Sequence, residues 1–251
     1  MKKYIVLVFL ISIISCQQKT KKNGKLQVVT TTTMITDLVK NIGGDKIDIQ
    51  GLMGAGVDPH LYKASAGDVS KLFNADVIVY NGLHLEGKLE DVFEKMRQQN
   101  KKTIAASDAI DTATLIGSAY FASNYDPHIW FDITNWEIIT KYITAKFCEL
   151  DVENAIIYKE NAANYLKTLA SLKIAVTEEV NFLPIEKRIL VTAHDAFNYF
   201  GKQFQFNVVG LQGLSTATEA GVKDVQRLAS FIEEKNVKAI FVESSVPKRT
   251  V

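Results

Sequence analysis

Hydrophobic and polar positions follow two alternating patterns along most of this chain. Short β-branched and apolar runs predict strands, and the longer stretches between them have the apolar spacing of amphipathic helices. In the first half, strands are predicted at 26–31, 47–53, 76–80 and 103–106, with helices at 34–42, 66–74 and 86–100. This alternation favours a mostly parallel sheet with helices on its faces. Ser65, with Asp68 three residues later, predicts a capped start for the second helix.

The middle of the chain is helical throughout. One helix is predicted at 136–150, and Asp151 is placed to cap a second that runs from about 152 to 182 and stops before Pro184. Roughly 30 helical residues would span about 45 Å, more than the width of a small domain. A coiled coil is the alternative, but the apolar positions drift and keep no clean heptad. We therefore expect a rigid connector.

The strand and helix alternation returns after the long helix. Strands are predicted at 188–192, 206–211 and 238–243, and helices at 195–203 and 221–236. The predicted fold class is α/β, with two lobes of mostly parallel sheet joined by a long rigid helix. We expect an N-terminal lobe at 26–135, connecting helices at 136–184 and a C-terminal lobe at 185–251, part of which would lie beyond Val251.

Composition and charge narrow the class of function. The 251 residues are 47% hydrophobic and 23% charged, as in globular proteins. The net charge of +1 argues against a protein that grips nucleic acid through phosphates. Six lysines and no acidic residue lie in the first 25 positions, so the remaining 23 basic and 28 acidic residues give a body of net charge −5. That sign suits a cation ligand.

The N-terminus has the pattern of a targeting segment. Lys2 and Lys3 precede an apolar run at 4–14, which is too short to span a bilayer and predicts a signal peptide at 1–15. Ile13-Ile14-Ser15-Cys16 resembles a bacterial lipobox, which predicts a lipidated Cys16 followed by a polar tether at 16–25. A plain signal peptide is the alternative. We expect a lipid-anchored, extracytoplasmic protein of the bacterial cell envelope.

Three of the four histidines occupy positions suited to a metal site. His60 and His128 share the context Asp-Pro-His-aliphatic-aromatic, in which proline stiffens the turn that presents the imidazole. His194 follows a predicted strand, where ligands of parallel sheets bind. A lone histidine is usually a hydrogen-bonded loop residue, but the repeated motif favours metal ligation by these three. His84 begins a predicted helix and is expected to lie outside the ligand set.

The acidic neighbours of these histidines are candidates to support them. Asp58, Asp126 and Asp195 each lie one or two residues from a candidate ligand. A carboxylate in such a position can accept a hydrogen bond from the second imidazole nitrogen and so orient the ring. We expect these three residues to act behind the metal ligands.

Further motifs recur in a specific order: the lipobox at Cys16, Asp58-Pro59-His60, the segments 81–86, 126–130, 192–197 and 213–216 with Glu219, and 241–244 with Glu243. On these motifs the chain resembles, from Cys16 to Val251, the metal-binding lipoproteins of zinc and manganese ABC importers. These are the solute-binding proteins of cluster A-I, the TroA- and ZnuA-like family. The resemblance implies two lobes with the metal between them.

The resemblance also implies a ligand set and a partner. His60 and His128 would come from the first lobe and His194 from the second, with a fourth, carboxylate ligand expected beyond Val251. Glu219 and Glu243 would pack the lobe or support the ligands. The resemblance is closest to treponemal-type proteins with three histidines, so we expect Zn²⁺, with Mn²⁺ next, carried by a monomer to a membrane permease.

Two other functions remain possible from the sequence. Three histidines and a water molecule could form a hydrolytic zinc site, although no His-Glu-x-x-His motif and no general base stand out. A surface adhesin lipoprotein with a structural metal is the second alternative. We expect a binding protein rather than an enzyme.

Overall fold

The first half of the chain forms a four-stranded parallel sheet. The computed structural model describes residues 24–118 and 121–245. The strands lie in the spatial order β2-β1-β3-β4. Their bounds are β1 (Leu26–Thr30), β2 (Ile47–Gly51), β3 (Val77–Tyr80) and β4 (Lys102–Ala105), and the helices between them are α1 (Thr33–Gly43), α2 (Ala66–Asn74) and α3 (Glu90–Gln98). The predicted strands and their order of alternation with helices are confirmed.

Local capping signals explain where these helices begin. The Ser65 side chain accepts a hydrogen bond from the Asp68 backbone N–H, and the Asp68 carboxylate accepts one from the Ser65 backbone N–H. The predicted capping box of α2 is therefore confirmed. Helix α3 begins four residues later than predicted. Leu83 and His84 adopt φ angles of 52° and 62°, and the Glu86 carboxylate accepts hydrogen bonds from the backbone N–H groups at 81 and 82. A left-handed backbone cannot continue a right-handed helix, so residues 83 and 84 form a loop. Residues 87–89 then form a 3₁₀ turn, and the α-helix begins only at Glu90.

Two helices follow the first sheet, α4 (Ile133–Leu150) and α5 (Ala155–Asn181). With 27 residues, α5 is about 40 Å long, and it begins three residues later than predicted because a short 3₁₀ turn precedes it. It packs against α1 and α4. The Asn161 side chain donates to the Ile42 carbonyl at 3.0 Å, and the Trp136 indole donates to the Tyr165 hydroxyl at 3.2 Å. The N-terminal half of α5 is thus fastened to the first lobe.

The second lobe contains two parallel strands and two helices. These are β5 (Ile189–His194), α6 (Asn198–Phe204), β6 (Asn207–Gln212) and α7 (Val222–Lys235). Strand β5 extends to His194, which is therefore its last residue. The strand predicted at 238–243 is wrong for the described residues. Only Phe241 pairs with β5, through a single bridge opposite Thr192.

Arg188 joins the end of the long helix to the second lobe. Its side chain is 9% exposed and donates to the carbonyls of Leu183 and Phe204 and to the Asn181 side chain, at 3.0–3.2 Å. The largest hydrophobic cluster also crosses between the lobes, since Tyr199 and Phe204 of α6 pack with residues of the first sheet, α4 and α5. Packing as well as chain connectivity therefore links the two halves.

The targeting segment lies mostly outside this description. The predicted signal peptide at 1–15, the lipidation site Cys16 and all but the last two residues of the tether at 16–25 lie outside the described residues. Among the residues that are described, no helix combines the length and apolar character needed to cross a bilayer.

Candidate metal centre

The three predicted histidines meet at the carboxyl ends of the strands. His60 lies in the loop after β2, His128 in the turn before α4, and His194 at the end of β5. The Nε2 atom of His128 is 3.2 Å from that of His60 and 3.2 Å from that of His194. The three residues are only 6%, 1% and 7% exposed. Elements far apart in the sequence thus place three imidazole nitrogens around one buried point.

These distances suit a tetrahedral metal ion. Zinc binds imidazole nitrogen at about 2.0–2.1 Å, so two ligands of a tetrahedral site lie about 3.3 Å apart. The observed nitrogen separations of 3.2 Å match that spacing. All three ligand nitrogens lie within 4.8 Å of one another, so the group can hold one metal ion.

Two carboxylates set the tautomers of these rings. His128 Nδ1 lies 2.7 Å from Asp126 Oδ1, and His194 Nδ1 lies 3.1 Å from Glu243 Oε1. A carboxylate can only accept, so each Nδ1 carries the hydrogen and each Nε2 keeps the lone pair that a metal needs. The second oxygen of Glu243 is buried and has no hydrogen-bond partner among the described residues.

Burial also keeps the imidazoles of His60 and His128 unprotonated. Desolvation, followed by the charges of the neighbouring histidines, lowers the pKa of His60 to about 2. Desolvation likewise lowers the pKa of His128, although Asp126 opposes it. Metal ligands must be neutral imidazoles, and at neutral pH these two rings are already in that state.

The other predicted residues occupy different positions. Asp58 accepts a hydrogen bond from the backbone N–H of His60 at 2.9 Å and so holds the turn. Asp195 is half-buried beside His194, and burial raises its pKa. Glu219 is exposed in the loop before α7 and lines a separate cavity. The structure therefore brings Asp58 and Asp126 to the histidine turns and leaves Glu219 away from them.

His84 lies outside the three-histidine cluster. Its Nδ1 atom is 2.6 Å from the Glu90 carboxylate, on a partly exposed surface. The ring of Phe121 lies between it and the cluster, with centroids 6.1 Å from the His84 ring and 6.2 Å from the His60 ring. His84 thus pairs with Glu90, and the Phe121 ring separates it from the three-histidine cluster.

A cleft between the lobes leads to the three imidazoles. Its cavity of about 320 Å³ is lined by both lobes, including Met53, Trp130, Phe197 and Thr216. Sequence reasoning assigned no individual role to Thr216 or to Asn198. They contact Asp58 and Asp126 respectively, 158 and 72 residues away, and no local pattern in the chain signals contacts over such separations.

Comparison with known proteins gives consistent relatives. The family model described as "zinc-uptake complex component A periplasmic" matches residues 28–251. The manganese-binding lipoprotein MntA of Bacillus subtilis is 46% identical over 90% of this chain and 74% of its own length. The zinc-binding protein TroA of Treponema pallidum is 44% identical over 91% of this chain and 73% of its own length.

The fold comparison agrees with the sequence comparison. The solved structure of the periplasmic zinc-binding protein TroA from Treponema pallidum superimposes with a TM-score of 0.86 at 45% identity, covering 90% of this chain and 80% of that one. The resemblance stated from the motifs is confirmed by both comparisons. The chain belongs to the zinc-uptake complex component A family of solute-binding proteins.

Proposed function

We propose that this protein captures a divalent transition metal ion between its two lobes and delivers it to the membrane permease of an ABC importer. The observation that carries the proposal is the convergence of three buried imidazole nitrogens, two from the first lobe and one from the second. The nitrogen of His128 lies 3.2 Å from each of the other two. Because the ligands come from both lobes, a bound ion would fix the lobes against each other. The metal is cargo in this proposal.

Zn²⁺ is the preferred ion, and Mn²⁺ is the next candidate. Imidazole nitrogen is a favoured ligand of zinc, and divalent affinities at a given site place manganese well below zinc. The relatives divide in the same way, since MntA is named for manganese and TroA for zinc. Selection between these ions at three identical ligand nitrogens would therefore favour zinc wherever both are available.

Asp126 and Glu243 would hold the ligand rings of His128 and His194 through their Nδ1 atoms. Asp58 would act on the His60 turn through its backbone N–H. Asp195, which lies beside His194, would contribute negative charge near the bound cation. These supporting roles follow from the hydrogen bonds and from the general need to orient a metal-bound imidazole.

Transport fits this chain better than the alternatives. The family consists of solute-binding proteins of importers and not of enzymes, so the hydrolase hypothesis loses its support. Family membership places the protein outside the cytoplasm with a permease as partner. A lipid on Cys16 and a monomeric state are the finer parts of the proposal, supported by the lipobox and by relatives named as lipoproteins.

Calorimetric titration of the metal-free protein with Zn²⁺ and Mn²⁺ tests the proposal. We expect tight, equimolar Zn²⁺ binding that His128→Ala weakens at least 100-fold, since that residue touches both other ligands. His84→Ala is the matched control and should bind as the unmodified protein does. The proposal fails if the unmodified protein binds neither ion, or if both variants lose affinity equally.

A further inference from the structure

In both Asp-Pro-His turns, the two carboxylate oxygens of the aspartate accept hydrogen bonds from different parts of the structure. Asp58 Oδ1 accepts from the His60 backbone N–H at 2.9 Å, and Asp126 Oδ1 accepts from the His128 backbone N–H at 2.9 Å. Each of these bonds spans two residues and closes a turn around proline. One oxygen of each aspartate therefore fixes the backbone that presents its histidine.

The second oxygen of each aspartate bonds to the other lobe. Asp58 Oδ2 accepts from the Thr216 hydroxyl at 2.5 Å, in the loop between β6 and α7. Asp126 Oδ2 accepts from the Asn198 side chain at 3.1 Å, at the start of α6. Each aspartate thus joins the position of a candidate ligand to the position of the second lobe.

The two sides of the cleft are fastened very differently. On the α6 side, Tyr199 donates to the Asp126 carbonyl at 3.1 Å, Lys202 donates to the Thr114 carbonyl at 2.9 Å, and Gln203 bonds to Asp132 at 2.9 Å. On the other side, the bond between Thr216 and Asp58 is the only hydrogen bond that joins the His60 loop to the second lobe within residues 24–118 and 121–245.

We propose that Thr216 is a positioning residue that latches the mouth of the cleft, while α6 serves as the fixed side about which the lobes separate. The latch acts on the candidate ligand His60 through Asp58, because the same carboxylate holds both the His60 turn and the Thr216 hydroxyl. This inference rests on the proposed capture of a metal ion between the lobes.

The physical argument concerns which state each bond stabilises. The bond from Thr216 to Asp58 joins a neutral donor to a carboxylate, and it forms only when the His60 loop meets the second lobe. A bond present in the closed state alone shifts the balance between closed and open states by its own free energy. A hydrogen bond to a charged group changes such a balance by about tenfold or more.

Release of Zn²⁺ to a chromogenic chelator, followed by stopped-flow absorbance, tests the latch. Thr216→Val keeps the shape of the side chain and removes the hydroxyl, so we expect release about tenfold faster. Thr216→Ser keeps the hydroxyl and should restore the original rate. Thr218→Val places the same substitution two residues away, on an exposed side chain, and should leave the rate unchanged. Thr216→Ala serves if the valine variant does not fold.

The asymmetry between the sides has its own measurement. Asn198→Ala removes one bond from a side held by several others, so its effect on release should be clearly smaller than that of Thr216→Val. Equal acceleration by both variants would overturn the fixed-side assignment. Unchanged release in Thr216→Val, or equally fast release in Thr216→Ser, would overturn the latch while Zn²⁺ capture stands. Absence of Zn²⁺ binding by the unmodified protein would instead overturn the proposed function.

Discussion

The imidazoles of the candidate site depend on carboxylates drawn from very different distances along the chain. His128 Nδ1 contacts the Asp126 carboxylate, which lies two residues away within the same turn. His194 Nδ1 contacts the Glu243 carboxylate, which lies 49 residues away in the sequence. The first pairing could be predicted from the Asp-Pro-His motif, because it is local. The second could not, because it depends on how the segment around Phe241 returns to β5.

Nothing in the sequence distinguishes the roles of Glu243 and Glu219, but only Glu243 contacts a candidate ligand. Replacement of Glu243 should therefore weaken metal binding, and replacement of Glu219 should not. Glu243→Ala removes the acceptor of the His194 Nδ1 hydrogen and frees the ring to turn, so Zn²⁺ affinity should fall about 10–100-fold. Glu219→Ala is the matched control, since that side chain is exposed and lines a different cavity. Calorimetry of both variants decides the point, and equal affinities in the two would contradict it.

At the scale of elements, the quality of prediction follows how local the signal is. The capping box of α2 lies within four residues of sequence, and the helix was predicted to begin where it does. The start of α3 was predicted four residues too early, because residues 87–89 form a 3₁₀ turn before the α-helix begins at Glu90. The strand predicted at 238–243 failed because strand pairing needs a partner elsewhere in the chain, and only Phe241 pairs.

The long helix α5 was predicted from its apolar spacing and from Pro184. The hydrogen bonds that attach its C-terminal end to the second lobe were not predicted. Arg188 forms three hydrogen bonds, to the end of α5, to the residues after it and to the end of α6. A planar guanidinium suits three acceptors in different directions. Nothing in the sequence around Arg188 distinguishes it from the exposed Lys187 beside it.

Removal of the Arg188 fork should destabilise the junction between α5 and the second lobe. Arg188→Met keeps most of the apolar stem but leaves two carbonyls and one amide without their donor, so the free energy of unfolding should fall by about 3 kcal/mol. Lys187→Met, on an exposed neighbour, should change it by less than about 0.5 kcal/mol. Chemical denaturation measures both, and similar values for the two variants would show that the fork does not hold the junction.

In the whole molecule, the candidate site lies where two lobes meet, but the lobes do not depend on it for contact. The largest hydrophobic cluster runs from the first sheet through α4 and α5 to Tyr199 and Phe204 of α6. The hydrogen bonds of α6 to the first lobe add to this packing. The sequence predicted two lobes and a connector. It could not predict this continuity, because the contacts between α6 and the first lobe span more than 70 residues.

Metal removal therefore separates a cargo ion from a structural one. Because a hydrophobic core already joins the lobes, the chelated protein should keep its near-ultraviolet circular dichroism and unfold in one cooperative transition. Saturating Zn²⁺ should then raise the melting temperature, since a ligand at 1,000 times its Kd stabilises the folded state by about 4 kcal/mol. His128→Ala supplies the control, because its weaker binding should make its melting temperature respond much less to the same Zn²⁺ concentration. Loss of the near-ultraviolet signal on chelation would instead indicate a structural metal, as in the adhesin alternative. The bound ion would then hold the fold together, and the proposal that it is cargo would fail.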